Sequence, residues 1–268
     1  MASACLQAAE GHVRPQPVAV AVVGNNGVAC SVLVYVDYLL AASGSLAMLK
    51  ELCELLDAAC ELREISQVKK YLRLEIVCDR PARKLWLHQQ SYIDKLRMRF
   101  IDNEETGRRP KTPVSVDADA KLTFNENDFQ SRKEEKYRQK VGSLHFATMT
   151  TRPDIAFACN KLGSGMTMRS SQHWPEVDRC LAYLADIRDA ALEFGGGPES
   201  LCLVGYADTN DAGDKQTRSS TNNYVLLFDE PDISWTSQRI KCVTLSSPEL
   251  EYIAGKEAHR LRFLLAKF

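Results

Sequence analysis

The sequence has no Cys-x-x-Cys pair. Its nine cysteines are scattered singly. That spacing excludes the common zinc arrangements, and the odd count argues against a disulfide framework. Reduced, mostly buried thiols in the cytosol or nucleus are expected. No run approaches the ~20 apolar residues of a membrane span. The first 15 residues lack the charged start and apolar core of a signal peptide. Residues 1–17 read as a poorly ordered leader. No glycine-rich loop opens a helix, because Gly195 to Gly197 run into Pro198 and a strand. His88, His145 and His173 stand apart from one another and from cysteine, so no histidine-based triad or metal set is visible. An excess of one charge is also missing: 34 Lys and Arg meet 35 Asp and Glu, for a net charge of −1. Contact with nucleic acid would therefore need a local basic surface.

What is present suits an ordinary globular chain, with 45% hydrophobic and 26% charged residues. Its 268 residues are enough for one large domain or two small ones. Asn25-Asn26-Gly27 lies between β-branched runs, a strong hairpin signal. A second reversal at Asp37-Tyr38 completes a three-strand meander. Leu46, Leu49, Leu52, Cys53, Leu56 and Ala59 recur at helical spacing and predict a helix over 46–59. Leu72, Leu74 and Ile76 alternate with Arg73 and Glu75, as in a half-buried strand. Pro81 marks a turn before a strand at 85–87. Ser91 and Asp94 predict a capped helix over 92–100.

Further along, residues 117–135 are polar and read as a linker. A helix is expected over 136–147. Thr151 offers an N-cap for the next helix, with Pro153 in its first turn. Another helix is expected over 174–188. Gly195-Gly196-Gly197-Pro198 reads as a domain boundary. Beyond it, residues 201–208, 221–228 and 233–237 predict three strands. Ser246 or Ser247 then caps a helix whose stripe includes Leu250, Ile253, Leu261 and Leu265.

Five strings, in order, carry a resemblance. Val32 to Leu40 reads Val-Leu-Val-Tyr-Val-Asp-Tyr-Leu-Leu. Residues 84–100 begin Lys-Leu-Trp-Leu-His-Gln-Gln. Thr151 to Phe157 is Thr-Arg-Pro-Asp-Ile-Ala-Phe, after Val141-Gly142-Ser143-Leu144. Gly205 to Asp214 forms the fourth. The fifth joins Ile233-Ser234-Trp235-Thr236-Ser237 to Leu245-Ser246-Ser247-Pro248-Glu249-Leu250-Glu251-Tyr252. Together they resemble the Pol polyprotein of copia-type retrotransposons, from about Gly24 to the end.

The resemblance implies an α+β fold: a partial reverse-transcriptase palm and thumb, a helical connector, and an incomplete ribonuclease H-like mixed sheet with its helix. The implied segments are a leader at 1–17, palm hairpin and thumb at 18–115, linker and connector at 116–195, and the first half of the ribonuclease H-like domain at 196–268. The implied activities are RNA-directed DNA synthesis and cleavage of RNA in a hybrid, both using Mg²⁺. The implied partners are a primer–template or RNA/DNA hybrid.

Two-metal chemistry needs several converging carboxylates. In the polymerase, Asp37 corresponds to the first aspartate of the Tyr-x-Asp-Asp turn. Tyr38 stands where the second belongs, and a phenol is no ligand for a hard cation. Arg73 stands where the family usually has a glycine that leaves room for the primer backbone. In the ribonuclease H segment, Asp208 and Glu251 correspond to the first two of about four acids. Asn210 replaces a nearby aspartate, and the family's following tryptophan is absent. Asp37 is otherwise a plain turn residue, and Asp208 and Glu251 are otherwise surface acids. Eight Lys and Arg against four Asp and Glu between Arg83 and Lys111 suggest a phosphate-contacting thumb surface. Its candidates are Lys95, Arg97, Arg99, Arg108, Arg109 and Lys111; the alternative is a solvated helix face.

The resulting expectation is a truncated, diverged copy that retains too few metal-binding carboxylates for catalysis at either site. The alternative is a non-catalytic chain that binds nucleic acid or a protein partner, with apolar faces left open for self-association.

Overall fold

The computed structural model describes residues 2–8, 19–25, 28–35, 38–60, 62–101, 109–118, 122, 134–166, 172–195, 202–210, 219–228, 230–240 and the helical positions 248–249, 251–252, 255–256 and 259. They belong to two units, Met1–Leu85 and Trp86–Phe268. Both helices and antiparallel sheets are present, so the α+β class holds. Among the described residues, no helix is long and apolar enough to cross a membrane.

In the first unit, β1 (Ala2–Ala8), β2 (Ala19–Asn25), β3 (Val28–Tyr35), β4 (Tyr38–Ser43) and β5 (Leu62–Ser66) form one sheet in the order β2-β3-β4-β1-β5. The expected meander is β2 to β4. The expected leader is corrected in part: β1 pairs antiparallel with both β4 and β5, placing Ala4 opposite Ala41 and Leu6 opposite Leu39. Its alternation of small residues is a weak strand signal, and only pairing with two neighbours completes it.

Inward positions alternate as a half-buried sheet requires: Cys30 and Val32 on β3, Leu39, Ala41 and Ser43 on β4. Helix α1 (Leu46–Cys60) covers this face with Leu49 and Cys53, flanked by half-buried Met48, Leu52 and Leu56. Ser45 starts it, its Oγ accepting the Met48 N–H at 3.4 Å and its carbonyl the Leu49 N–H at 3.2 Å.

The continuous strand expected through Leu72 is instead a hairpin. β6 (Lys70–Tyr71) and β7 (Leu74–Asp79) pair Lys70 with Glu75 and Tyr71 with Leu74. Leu72 and Arg73 form the turn with φ of 47° and 69°. Two successive left-handed residues are what a type I′ turn demands, and glycine or asparagine meets that demand best. Lys70 and Glu75 form an ion pair across the hairpin at 3.5 Å.

The second unit begins within β8 (Lys84–His88), which leads into α2 (Gln90–Phe100) and neighbours β9 (Leu192–Gly195). The indole N–H of Trp86 donates to Glu193 Oε2 at 2.9 Å. A helical layer follows: α3 (Glu134–Thr148), a 3-10 turn at Pro153–Ile155, α4 (Ala156–Ser164) and α5 (His173–Asp186). Helix α2 contributes Ile93 and Leu96 to a core with Tyr137, Leu144, Leu162 and Leu181. Helix α2 therefore shares its core with the helices that follow it, and the division between the two units falls after Leu85. Apolar burial sets that division; composition alone does not reveal it.

Two expected caps are not used. α2 has Gln89 at its N-cap position without a side-chain bond, and Asp94 accepts Arg188 Nη1 at 2.8 Å instead. Thr151 does not cap; its hydroxyl donates to buried Gln89 Oε1 at 2.9 Å. Pro153 does open the short 3-10 turn. Gly165 sits so close to His173 that a Cβ there would lie 2.3 Å from the imidazole Cδ2.

The last sheet is the antiparallel meander β10 (Leu203–Asn210), β11 (Thr221–Phe228) and β12 (Asp232–Arg239). Helix α4 packs on β12, which ties this sheet to the helical layer. The meander matches the three expected strands.

Candidate functional site

The first candidate is the β3–β4 turn. Asp37 lies outside the described residues. The flanking strands end with Tyr35 opposite Tyr38, leaving a two-residue connection. Tyr38 is 38% exposed, and its ring meets Tyr71 edge-on, centroids 6.3 Å apart at 85°. The position that resembles a metal carboxylate is thus an aromatic contact between the turn and the β6–β7 hairpin. Arg73, at the tip of that hairpin, is exposed.

The second candidate is the β10–β12 meander. Asp208 is exposed on β10, its Cα opposite Asn223, which in turn faces Ser237 on β12. Directly opposed residues share a face. The row across the sheet is therefore one carboxylate, one amide and one hydroxyl. Asn210 ends β10 opposite Thr221. Glu249 and Glu251 are both helical and exposed. Among the described residues, no group of three or more His, Cys, Asp or Glu is placed to hold a metal ion. With Tyr38 a ring contact and Asp208 flanked by neutral side chains, the described donors do not fit a two-ion Mg²⁺ site.

Asp208 does line a cavity of about 690 Å³ between the meander and the corner that starts α4. Tyr206, Trp235 and Phe157 give it aromatic walls; Asp154, Asp208 and Asp232 give it carboxylates. Burial pushes the Asp232 carboxyl above its ordinary range.

The corner itself was not anticipated as a structural hub. Arg152 is 1% exposed and grips Asp154 with two bonds, Nε to Oδ1 at 2.9 Å and Nη2 to Oδ2 at 2.7 Å. Its Nη1 donates to the Ile187 carbonyl at the end of α5, at 3.1 Å. Trp235 Nε1 donates to the Thr148 carbonyl at the end of α3, at 2.7 Å. Both bonds satisfy helix-end carbonyls that lack intrahelical partners. The Thr-Arg-Pro-Asp string is the signal that points here, and its role is to join helix ends and sheet.

The third candidate is the basic surface. Lys95, Arg97 and Arg99 are exposed on α2. Lys95 and Arg99 are four apart and share a side; Arg97 points roughly 200° away. Arg99 donates to Gln139 Oε1 at 2.9 Å and lies 5.0 Å from the Phe100 ring centroid. Arg109 pairs with Asp186 at 3.3 Å, and Lys111 is exposed. Arg108 lies outside the described residues. The three cations on α2 do not share one side.

Comparison with known proteins gives three informative relatives. A retrovirus-related Pol polyprotein from transposon TNT 1-94 of Nicotiana tabacum is 32% identical over 243 residues, which is 88% of this chain and 18% of that polyprotein. The putative transposon Ty5-1 protein of Saccharomyces cerevisiae is 27% identical across 84% of this chain and 71% of its own length. A secreted RxLR effector protein of Plasmopara viticola is 36% identical over 122 residues, 46% of this chain and 85% of that protein. The chain therefore spans less than a fifth of the tobacco polyprotein it resembles. No family model and no solved structure matches it.

Proposed function

Because this chain belongs to the retrotransposon Pol polyprotein family as a diverged member, we propose that it derives from a reverse-transcriptase and ribonuclease H segment and performs neither reaction. The observation that supports this reading best is Tyr38. Its ring packs against Tyr71 at the position that resembles the second aspartate of the polymerase turn. Nucleotidyl transfer through two metal ions needs carboxylates on both sides of the pair, and a ring supplies none. Asp208, with Asn223 and Ser237 as cross-strand neighbours, supports the same reading for hydrolysis.

The direct test incubates the chain with a labelled primer–template, and separately with a labelled RNA/DNA hybrid, in Mg²⁺ or Mn²⁺. No extension and no cleavage are expected. Product that disappears in Asp37→Ala, or cleavage that disappears in Asp208→Ala, overturns the proposal.

A second reading rests on the exposed Lys95, Arg97 and Lys111: the chain binds hybrid without acting on it. Such binding weakens steeply with salt because each phosphate contact releases counterions. Replacing Lys95 and Arg97 with glutamate should flatten that salt dependence. Binding that is insensitive to both salt and these changes removes this reading.

A further inference from the structure

We propose that the cavity between the β10–β12 meander and the corner at Pro153–Phe157 binds a guanidinium group, presented as an arginine side chain by a basic peptide segment of a partner protein. The first argument is charge. Three carboxylates line the cavity, and none of the described lining residues is basic. Asp154 is already neutralised by Arg152 at 2.7 Å. Asp208 and Asp232 have no ion-pair partner among the described residues. The cavity is therefore a local negative field in a chain of net charge −1. Burial raises the Asp232 carboxyl, and a cation beside it would return that group to its charged form.

The second argument is shape and ring chemistry. Tyr206 is 61% exposed, and the Trp235 ring is held in place by its bond to Thr148. A planar guanidinium stacks on such rings and donates from its edge to carboxylates. Lys161 already places its Nζ 5.6 Å from the Phe157 ring centroid, so Tyr206 and Trp235, which share one face of the meander, are the better rings for a ligand. Ser237 Oγ is buried without a hydrogen-bond partner among the described residues, and it sits in one row with Asn223 and Asp208. An unpartnered hydroxyl in that row is an acceptor for a guanidinium N–H.

Other ligands suit the cavity less well. A nucleotide would bring phosphates toward Asp208 and Asp232. A purely apolar side chain would leave the Asp208–Asn223–Ser237 row unpaired, which is unfavourable on burial. The volume of about 690 Å³ also exceeds one side chain, leaving room for a neighbouring peptide residue.

The test titrates the full chain with N-acetyl-arginine methylamide, followed by isothermal calorimetry or NMR. N-acetyl-norleucine methylamide and thymidine monophosphate serve as competitors. Saturable binding of the arginine compound is expected, with neither competitor displacing it. Affinity should fall about tenfold in Asp208→Asn and in Tyr206→Ala. Both positions are exposed, and circular dichroism checks that the variants fold; Asp232→Asn gives a second acidic probe. The proposal is overturned if the arginine compound does not saturate, or if norleucine or the nucleotide binds as tightly. Unchanged affinity in all three variants overturns it as well.

Discussion

The β3–β4 turn and the corner at Thr151–Ile155 both belong to strings that point to the same family, yet they do different work. At the turn, Tyr38 occupies a position that resembles a catalytic carboxylate, and it makes a ring contact with Tyr71. Nothing in the sheet depends on an acid there. The pairing of Tyr35 with Tyr38 and the buried Leu39 and Ala41 are indifferent to it. At the corner, Arg152 is buried, bonded twice to Asp154 and once to the end of α5. Removing it would break three hydrogen bonds and empty a fully buried side-chain site. A position that serves only chemistry can change without disturbing the fold, whereas a buried side chain that ties a turn to a helix end cannot.

The sharpest way to break this comparison is Arg152→Ala. Arg152 is fully buried, so its truncation leaves a cavity and breaks three hydrogen bonds, at a cost of about 2–5 kcal/mol. Urea denaturation followed by tryptophan fluorescence should show a loss of that size. A loss near zero would mean that the corner is no more structural than the turn. Gly165→Ala comes next. Its Cβ would meet His173 at 2.3 Å, inside the same helical core, and overpacking of this kind costs about 1–3 kcal/mol. His173 is itself 2% exposed and has little room to withdraw, so the melting temperature should fall.

On the other side of the comparison, the hairpin should tolerate change or improve. Arg73 holds φ at 69°, a region that disfavours residues with a Cβ by about 1–2 kcal/mol. Arg73→Gly should therefore stabilise the first unit by about 1 kcal/mol, read from its denaturation midpoint. Unchanged or reduced stability would place the value of Arg73 in its side-chain contacts instead.

The smallest expected effect concerns thiols and does not alter stability. Burial raises Cys159 to about 11 and Cys180 well above the usual thiol range, so both stay protonated at mildly alkaline pH. Cys202 is exposed. Alkylation at pH 9, mapped by mass spectrometry, should label Cys202 and leave Cys159 and Cys180 unmodified. Equal labelling would show that the helical core opens readily.

Much of this architecture is legible in the sequence. The apolar spacing of Leu46 to Ala59 predicts α1 almost to the residue, and the run Thr221 to Phe228 predicts β11 as observed. Both depend on local sequence. The misses are tertiary. β1 has no strong strand signal of its own and exists through pairing with β4 and β5. Thr151 has the chemistry of a cap, but the buried Gln89, 62 residues earlier, claims its hydroxyl. Arg152 looks like a surface cation, because nothing in its neighbourhood announces that Asp154 and Ile187 will enclose it. Leu72 alternates correctly for a strand, yet the two-residue turn takes it out of the ladder. The site residues divide the same way. Asp208 lies on the strand expected of it, whereas Tyr38 opens β4 instead of sitting in the turn and Asn210 still belongs to β10. Of the basic residues clustered in sequence, Lys95 and Arg99 share one side of α2 and Arg97 points roughly 200° away.

The central claim is that the aromatic contact at Tyr38 leaves no place for a pair of divalent ions. Electron paramagnetic resonance of the chain titrated with Mn²⁺ tests it most directly. The account predicts no spin-coupled pair and a spectrum indistinguishable from that of Asp37→Ala. A stoichiometric coupled pair in the unaltered chain, lost in Asp37→Ala, would contradict it.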